Sequence, residues 1–536
     1  MRLLPLAWPG PACWAVLAAL VLIAGTPAHA ETLSLQLRSQ RPADASGLRF
    51  HTVTQPQQWN AAETVVIVCD MWDSHHGYRA AKRTAELAGP IDRFITAARQ
   101  QGAAIIHAPS DCVAAYSDHP ARRRAIETPR ASQFPADISK WCHQIPSEEA
   151  AVYPIDQSAG GEDDTPEEKA AWQQQLAKEG RNVRHPWQRQ IAAISIDADA
   201  DWISDSGEEI WSILQHQGIK NVMLVGVHTN MCVLGRPFGL RRMATAGMNT
   251  VLVRDLTDTM YDPRAWPFVS HFTGTDLIID HIERHVCPTI DSVQLVGGKP
   301  FRFAADDRQQ VVLVIAEDEY RTEETLPPWA LKHLGPRYRL RYCFADADNP
   351  NQILGLESLE DADLLVISVR RRALPSSDLE HVRRFVAAGK PVLGIRTASH
   401  AFEVRGEAPA GSAQWPEFDA QVFGGNYRNH HANDLRCTVT VADSIPPELQ
   451  KLVAPLSDQP FASGGSLYRT SPLAPATQLL LVGSVAGHPS EPAAWTFTRS
   501  DGGKSVYTSL GHVDDFAQDA FAEFLAGAVN WLAADE

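Results

Sequence analysis

The residues best placed to do chemistry are a thiol and a carboxylate that each follow an apolar run. Asp70 comes directly after Thr64-Val-Val-Ile-Val-Cys69, and Cys232 closes the stretch Gly226-Val-His-Thr-Asn-Met-Cys232 that follows Val222-Met-Leu-Val225. A cysteine at the start of a helix is a candidate nucleophile, because the helix N-terminus favours the thiolate. Backbone N–H groups of the same turn can hold a developing oxyanion. A carboxylate on a neighbouring strand can take the thiol proton. The alternative is that Cys232 is a buried structural cysteine, a common fate for this residue type. His228, Thr229, Asn230 and Met231 would line the substrate and oxyanion side of this thiol, with Trp72 as a pocket wall.

A second constellation lies beside the first. Asp73, His75 and His76 follow Asp70, and His107 follows the run Ala103-Ala-Ile-Ile106. Carboxylate plus imidazole suits zinc, manganese or iron, so Asp73, His75 and His107 form a candidate divalent-metal set. A third group, His400, His431 and His512, falls near Gly-rich turns in the second half of the chain. Imidazoles gathered there would suit a metal or the hydroxyls of a sugar.

The elements that must position these groups are legible as runs. Thr64–Cys69, Ala103–Ile106, Val222–Val225 and Thr250–Val253 are continuous apolar segments. They alternate with helix-like stretches at 91–101, 207–217 and 234–246, which predicts strands buried on both faces of a parallel sheet. Ligands of such sheets sit outside the carboxyl ends of the strands, where Asp70, His107 and Cys232 fall. Residues 127–185 are polar and read as an insertion. Segment 294–308 contains Gly297, Gly298 and Pro300 and reads as a linker. A second alternating series follows over 309–536, with predicted strands at Val311–Ile315, Leu364–Ile367, Pro391–Ile395, Leu479–Val482 and Ala494–Phe497. The fold class is therefore α/β, two Rossmann-like α/β/α domains with mostly parallel sheets, the first spanning 31–293.

Here the residues resemble known families. Asp70 after its strand, Gly226 to Val233, and the strand ending in Arg254-Asp255 are similar to the isochorismatase-like cysteine hydrolases, a family that includes nicotinamidases. The resemblance covers roughly 64–286. It implies an Asp–Lys–Cys triad cleaving a C–N bond of a small molecule through a thioester, with Cys232 as nucleophile and Asp70 as base. It also implies a non-proline cis peptide before the cysteine, at Val227–His228, and a metal held by an Asp and two His. The family lysine is missing: no lysine lies between Lys178 and Lys220. Candidate replacements are His185, Arg189 and Lys82. In the second half, Ser399-His400-Ala-Phe402, Phe423 to His431, Leu467 to Pro472 and Tyr507 to Phe516 resemble the ThuA-like (trehalose utilisation) branch of the class I glutamine amidotransferase-like fold. That resemblance implies a carbohydrate-related role. Arg396 stands where amidotransferases carry their nucleophile, and a guanidinium that stays protonated cannot attack.

The bulk numbers bound the rest. At 536 residues the chain is too long for one ordinary core. The composition, 44% hydrophobic and 21% charged, is that of a folded protein. A formal net charge of −16 repels phosphate, which excludes nucleic acid as a partner. Arg2, the apolar run from Ala12 to Ile23, and small residues at Ala28 and Ala30 read as a signal peptide cleaved after Ala30. The mature chain is then expected to be periplasmic or secreted, with no membrane span, a small-molecule substrate and association into a homo-oligomer. Seven cysteines remain after that cleavage, so at least one would be unpaired. Three readings stand: a cysteine hydrolase, a non-catalytic binder of small sugar-derived ligands, and a metal-dependent hydrolase.

Overall fold

A computed structural model describes residues 31–457 and 459–534. The signal-peptide reading falls on residues 1–30 and lies outside them. The first half builds one eight-stranded sheet. Its strands are β1 (Thr32–Pro42), β2 (Phe50–Asn60), β3 (Thr64–Cys69), β4 (Ala104–Ala108), β5 (Trp202–Ile203), β6 (Asn221–Val227), β7 (Asn249–Asp258) and β8 (Thr289–Ile290). The spatial order is β2-β1-β8-β7-β6-β3-β4-β5. Strands β3 to β8 pair in parallel, while β1 and β2 form an antiparallel hairpin on the β8 edge. All six residues of β3 and all seven of β6 are buried, as expected for strands covered by helices on both faces.

The hairpin has its own logic. Leu33, Leu35 and Leu37 alternate with exposed residues, and their inward faces join the core formed by Val66, Val68 and Phe94. The predicted helix at 91–101 is the end of a longer one, Tyr78–Gln100. The predicted helix at 234–246 is broken. A wide helical turn, Thr229–Val233, carries Cys232, and the regular helix begins only at Leu240, after Pro237.

The second half contributes β9 (Gln310–Ala316), β10 (Arg339–Phe344), β11 (Leu364–Val369), β12 (Leu374–Pro375), β13 (Val392–Ile395), β14 (Ser412–Ala413), β15 (Asn429–His430), β16 (Cys437–Val441), β17 (Phe461–Ser463), β18 (Tyr468–Arg469), β19 (Thr477–Ser484), β20 (Glu491–Thr498) and β21 (Lys504–Thr508). Nine of them form a sheet in the order β10-β9-β11-β13-β21-β20-β19-β16-β17. The first five of that order run parallel and the remainder extend it as an antiparallel wing. The molecule is thus α/β in both halves. The halves meet where Thr273 donates its hydroxyl to the Gly335 carbonyl at 2.7 Å and Arg308 pairs with Asp276 at 3.0 Å. All seven described cysteines are free and buried. Among the described residues no helix is long and apolar enough to cross a membrane.

Candidate active site

Parallel pairing of β3 with β6 sets Cys69 opposite Gly226, so Asp70 and the Cys232 turn leave the sheet side by side. The strands approach closely here: a Cβ on Gly226 would lie 2.0 Å from the Cys69 carbonyl oxygen, and its φ is +109°. Asp70 also has a left-handed φ of +49°, a conformation that persists only where the surroundings enforce it. Its carboxylate is fully buried. One oxygen accepts the Ser110 amide at 2.8 Å, and Asp70 and Cys232 share a side-chain hydrogen bond. The Val227–His228 peptide is cis, as the resemblance implied. The backbone N–H of His228 faces the Cys232 sulfur.

The cation of this site is Arg236. Its Nε donates to Asp70 Oδ2 at 3.0 Å, and its Nη2 lies 3.7 Å from Asp111. Its backbone amide bonds the Cys232 carbonyl, so the two residues sit one helical turn apart on one face. The indole of Trp141, from the polar insertion, covers the guanidinium at 5.3 Å. None of the three expected replacements is there. Lys82 is exposed on its helix over Tyr78, His185 packs edge-on against Trp187, and Arg189 is exposed on a loop. The signal that could have found Arg236 was its spacing of four residues from Cys232.

Electrostatics fix the resting state. Burial pushes the Asp70 carboxyl up, and the Arg236 charge opposes that shift. Burial, and then the Asp70 charge, push the Cys232 thiol well above its ordinary range. The thiolate expected from a helix N-terminus is therefore not the resting form. The turn at 229–233 is too short to supply a strong dipole, and the nearest full charge is negative. The arrangement is a protonated thiol hydrogen-bonded to a buried acid that a guanidinium holds in place.

The neighbouring residues divide into those that line the site and those that build it. Trp72 donates its indole N–H to the Ser110 carbonyl at 2.9 Å and stacks on Trp187 at 4.8 Å. His75 joins that stack and lies 4.9 Å from the His228 ring. His228 Nε2 is buried with no partner. Three of the expected substrate or oxyanion groups are otherwise engaged. Thr229 shares its hydroxyl with Thr257 at 2.7 Å, the Asn230 amide is locked by Met260 and Gln157, and the Met231 N–H donates to the His228 carbonyl.

The expected metal set does not assemble. Asp73 accepts from the Gln188 amide at 2.9 Å and from Arg181 at 3.0 Å, so it fastens the insertion to the sheet edge. His107 is wholly buried between Gln190 and Asp201, each at 3.0 Å. His75 accepts the Gly77 amide at 3.0 Å. These side chains share a stretch of sequence but face different partners. Among the described residues no three His, Cys, Asp or Glu groups stand where they could hold an ion. The second-domain histidines also separate. His400 stacks on Tyr427 at 4.5 Å, His512 faces Tyr320 at 5.9 Å, and His431 pairs with His488 at 4.5 Å.

Beyond the Cys232 turn lies a cavity of about 500 Å³ that reaches Asn230, Met231 and Trp141. Glu148, Arg241 and His281 form its far wall as a buried ion cluster, with Arg241 bidentate on Glu148 at 2.7 and 2.8 Å. Sequence reasoning missed this cluster, because its members come from the insertion and two distant helices.

Comparison with known proteins adds the following. Residues 310–532 match the family model described as ThuA, trehalose utilisation. No curated protein matches the chain. Among solved structures, a ThuA-like protein from Bacteroides uniformis ATCC 8492 is 16% identical, covering 44% of this chain and 95% of its own, with a TM-score of 0.33. A cysteine hydrolase from Pseudomonas syringae pv. phaseolicola 1448A is 16% identical over 44% of this chain and 92% of its own, with a TM-score of 0.27. An N-carbamoylsarcosine amidase from Thermoplasma acidophilum is 15% identical over 43% of this chain and 96% of its own, with a TM-score of 0.24.

Proposed function

We propose that the chain is an exported hydrolase that cleaves a C–N bond of a small amide in its first domain, joined to a ThuA domain of carbohydrate-related role. The observation that carries this reading is the contact set around one carboxylate: Asp70 bonds both the Cys232 thiol and, at 3.0 Å, the Arg236 guanidinium. The Cys232 sulfur attacks the carbonyl carbon while its proton passes to Asp70. The C–N bond then breaks, and Asp70 returns that proton to the departing amine. A thioester remains. Water attacks it with Asp70 as base, the acid product leaves, and the proton ends on the Cys232 sulfur. Because the resting thiol is neutral, the attack is coupled to proton transfer and needs a bound substrate to exclude water. Arg236 keeps its proton throughout. Its role is to keep Asp70 ionised and oriented.

The test is ammonia or amine release from a panel of small amides and ureas (nicotinamide and N-carbamoyl amino acids among them) by the full mature chain, beside Cys232→Ala and Asp70→Asn. The reading expects turnover that both substitutions abolish. Turnover that survives Cys232→Ala would sink the mechanism.

A further inference from the structure

A second site emerges at the carboxyl edge of the other sheet. Strand β13 ends at Ile395 and the chain turns sharply at Arg396, whose φ is +45°. Adjacent strand β11 ends at Val369, and Arg371 there has a φ of +50°. Two bulky side chains held in the left-handed region on neighbouring strands require an enforcing environment.

Arg396 is 1% exposed. Its guanidinium lies 3.9 Å from the ring of Tyr320 and 4.7 Å from that of Tyr468. It donates to the Ser509 carbonyl at 2.6 Å and to the Ser466 carbonyl at 3.3 Å, and its Nε has no partner. Gly465 permits this packing, since a Cβ there would sit 2.6 Å from Nη1. Among the described residues no carboxylate forms an ion pair with Arg396. The charge of Asp515 reaches it, but the Asp515 oxygens are taken by Ser463, Gly464, Gly511 and His512. A buried charge without a counter-ion is costly, and two aromatic faces and two carbonyls offset it only in part.

Arg371 repeats the situation nearer the surface. It is half-buried, its Nε is unpartnered, and its one side-chain bond goes to the Glu403 carbonyl at 3.3 Å. Its neighbour Arg370, by contrast, is paired with Glu319 at 2.5 Å. His400 and Tyr427 stack on each other at 4.5 Å, within reach of the charges of both guanidinia. Burial, and then the charges of Arg371, Arg370 and Arg396, hold the His400 imidazole down to about 2. His400 is therefore neutral and adds no charge of its own. Tyr320 and Tyr427 are only half-buried and present aromatic rings at the same edge.

We propose that this edge binds a small ring-bearing oxyanion, with the anionic group on the Arg371 and Arg396 side and the ring face on Tyr427 or Tyr320. Guanidinia recognise carboxylate and phosphate alike, and tyrosine faces accept a hydrophobic ring face. The site is independent of the Cys232 chemistry and stands or falls without it.

The experiment is calorimetric titration of the full mature chain with glucuronate, glucose 6-phosphate and neutral glucose. Glucuronate and glucose 6-phosphate separate a carboxylate from a phosphate ligand. Saturable binding of at least one anion is expected, with glucose weaker by roughly tenfold or more, the worth of one charge-assisted contact. Arg371→Gln and Tyr427→Ala should each weaken the anion by a similar factor. They are preferred to changes at Arg396, which sits in the core. No binding of either anion, equal binding of glucose, or full affinity in Arg371→Gln would overturn the proposal.

Discussion

Arg236→Met removes the cation and keeps most of the side-chain volume. In the folded protein Asp70 is fully buried, and its cationic contact is the Arg236 Nε at 3.0 Å. A hydrogen bond to a charged group contributes about 1.5–3 kcal/mol, and one pKa unit corresponds to about 1.4 kcal/mol. Losing that contact should therefore raise the Asp70 carboxyl further than burial already holds it. The sign follows. A base that is ionised only at higher pH moves the acid limb of the kcat/KM profile to higher pH and lowers the rate on that limb. Arg236→Lys keeps a charge without the planar fork and should fall between. Stability moves with the same sign. A carboxyl whose folded pKa lies above its unfolded value makes the native state lose stability as pH rises from the unfolded pKa through the folded one. The Met variant should thus lose more stability between pH 4 and pH 8 than the parent, read by urea titration across that interval. The assay is the pH–rate profile of whichever amide is turned over. An acid limb that does not move in Arg236→Met would refute the assignment of Arg236 as the group that sets the Asp70 charge.

Other expectations are independent of the substrate. Glu148 is held down to about 2, burial being outweighed by its bonds to His281 and Arg241. Its stabilising contribution is present above its unfolded value and should be lost as pH falls through that range toward 2, so urea titrations of Glu148→Gln and the parent should converge at acid pH. At pH 7 that variant leaves Arg241 buried without its counter-ion and should cost about 3–5 kcal/mol. His107→Ala should destabilise by about 1–3 kcal/mol, because it leaves the buried Gln190 Oε1 without its partner, and a melting temperature equal to the parent's would contradict the structural role assigned to it. Ile67→Ala opens a cavity in a wholly buried strand and should cost about 2–5 kcal/mol in denaturant titration. Cys232→Ala should melt within a few degrees of the parent, since it removes one buried sulfur and no packing of larger size.

Much of this architecture could be read from the chain. The runs at Thr64–Cys69 and Val222–Val225 are continuously apolar, as strands covered on both faces are, and the residues after them proved to include Asp70 and Cys232, in contact. The hairpin of β1 and β2 was missed although Leu33, Leu35 and Leu37 alternate, because a long polar partner strand hides its inward face. Arg236 was missed because its role depends on the chain breaking at Pro237, which ends the helical turn and leaves the guanidinium beside Asp70. The metal set failed for the opposite reason. Asp73, His75 and His107 are near in sequence or strand order, but sequence does not state which way side chains point once a loop has left the sheet. Arg396 was legible as the loss of a nucleophile. That it is a buried guanidinium without a counter-ion needed the placement of Tyr320, Tyr468 and Asp515.

The central claim is that Cys232 forms a covalent intermediate with Asp70 as its proton acceptor. Its most direct test is acid-quenched peptide mass spectrometry of the mature chain during turnover of the amide panel. An acyl mass on the peptide containing Cys232, absent in Asp70→Asn, is the predicted result. Amide turnover with no acyl mass on that peptide, or with the acyl group on another residue, would contradict it.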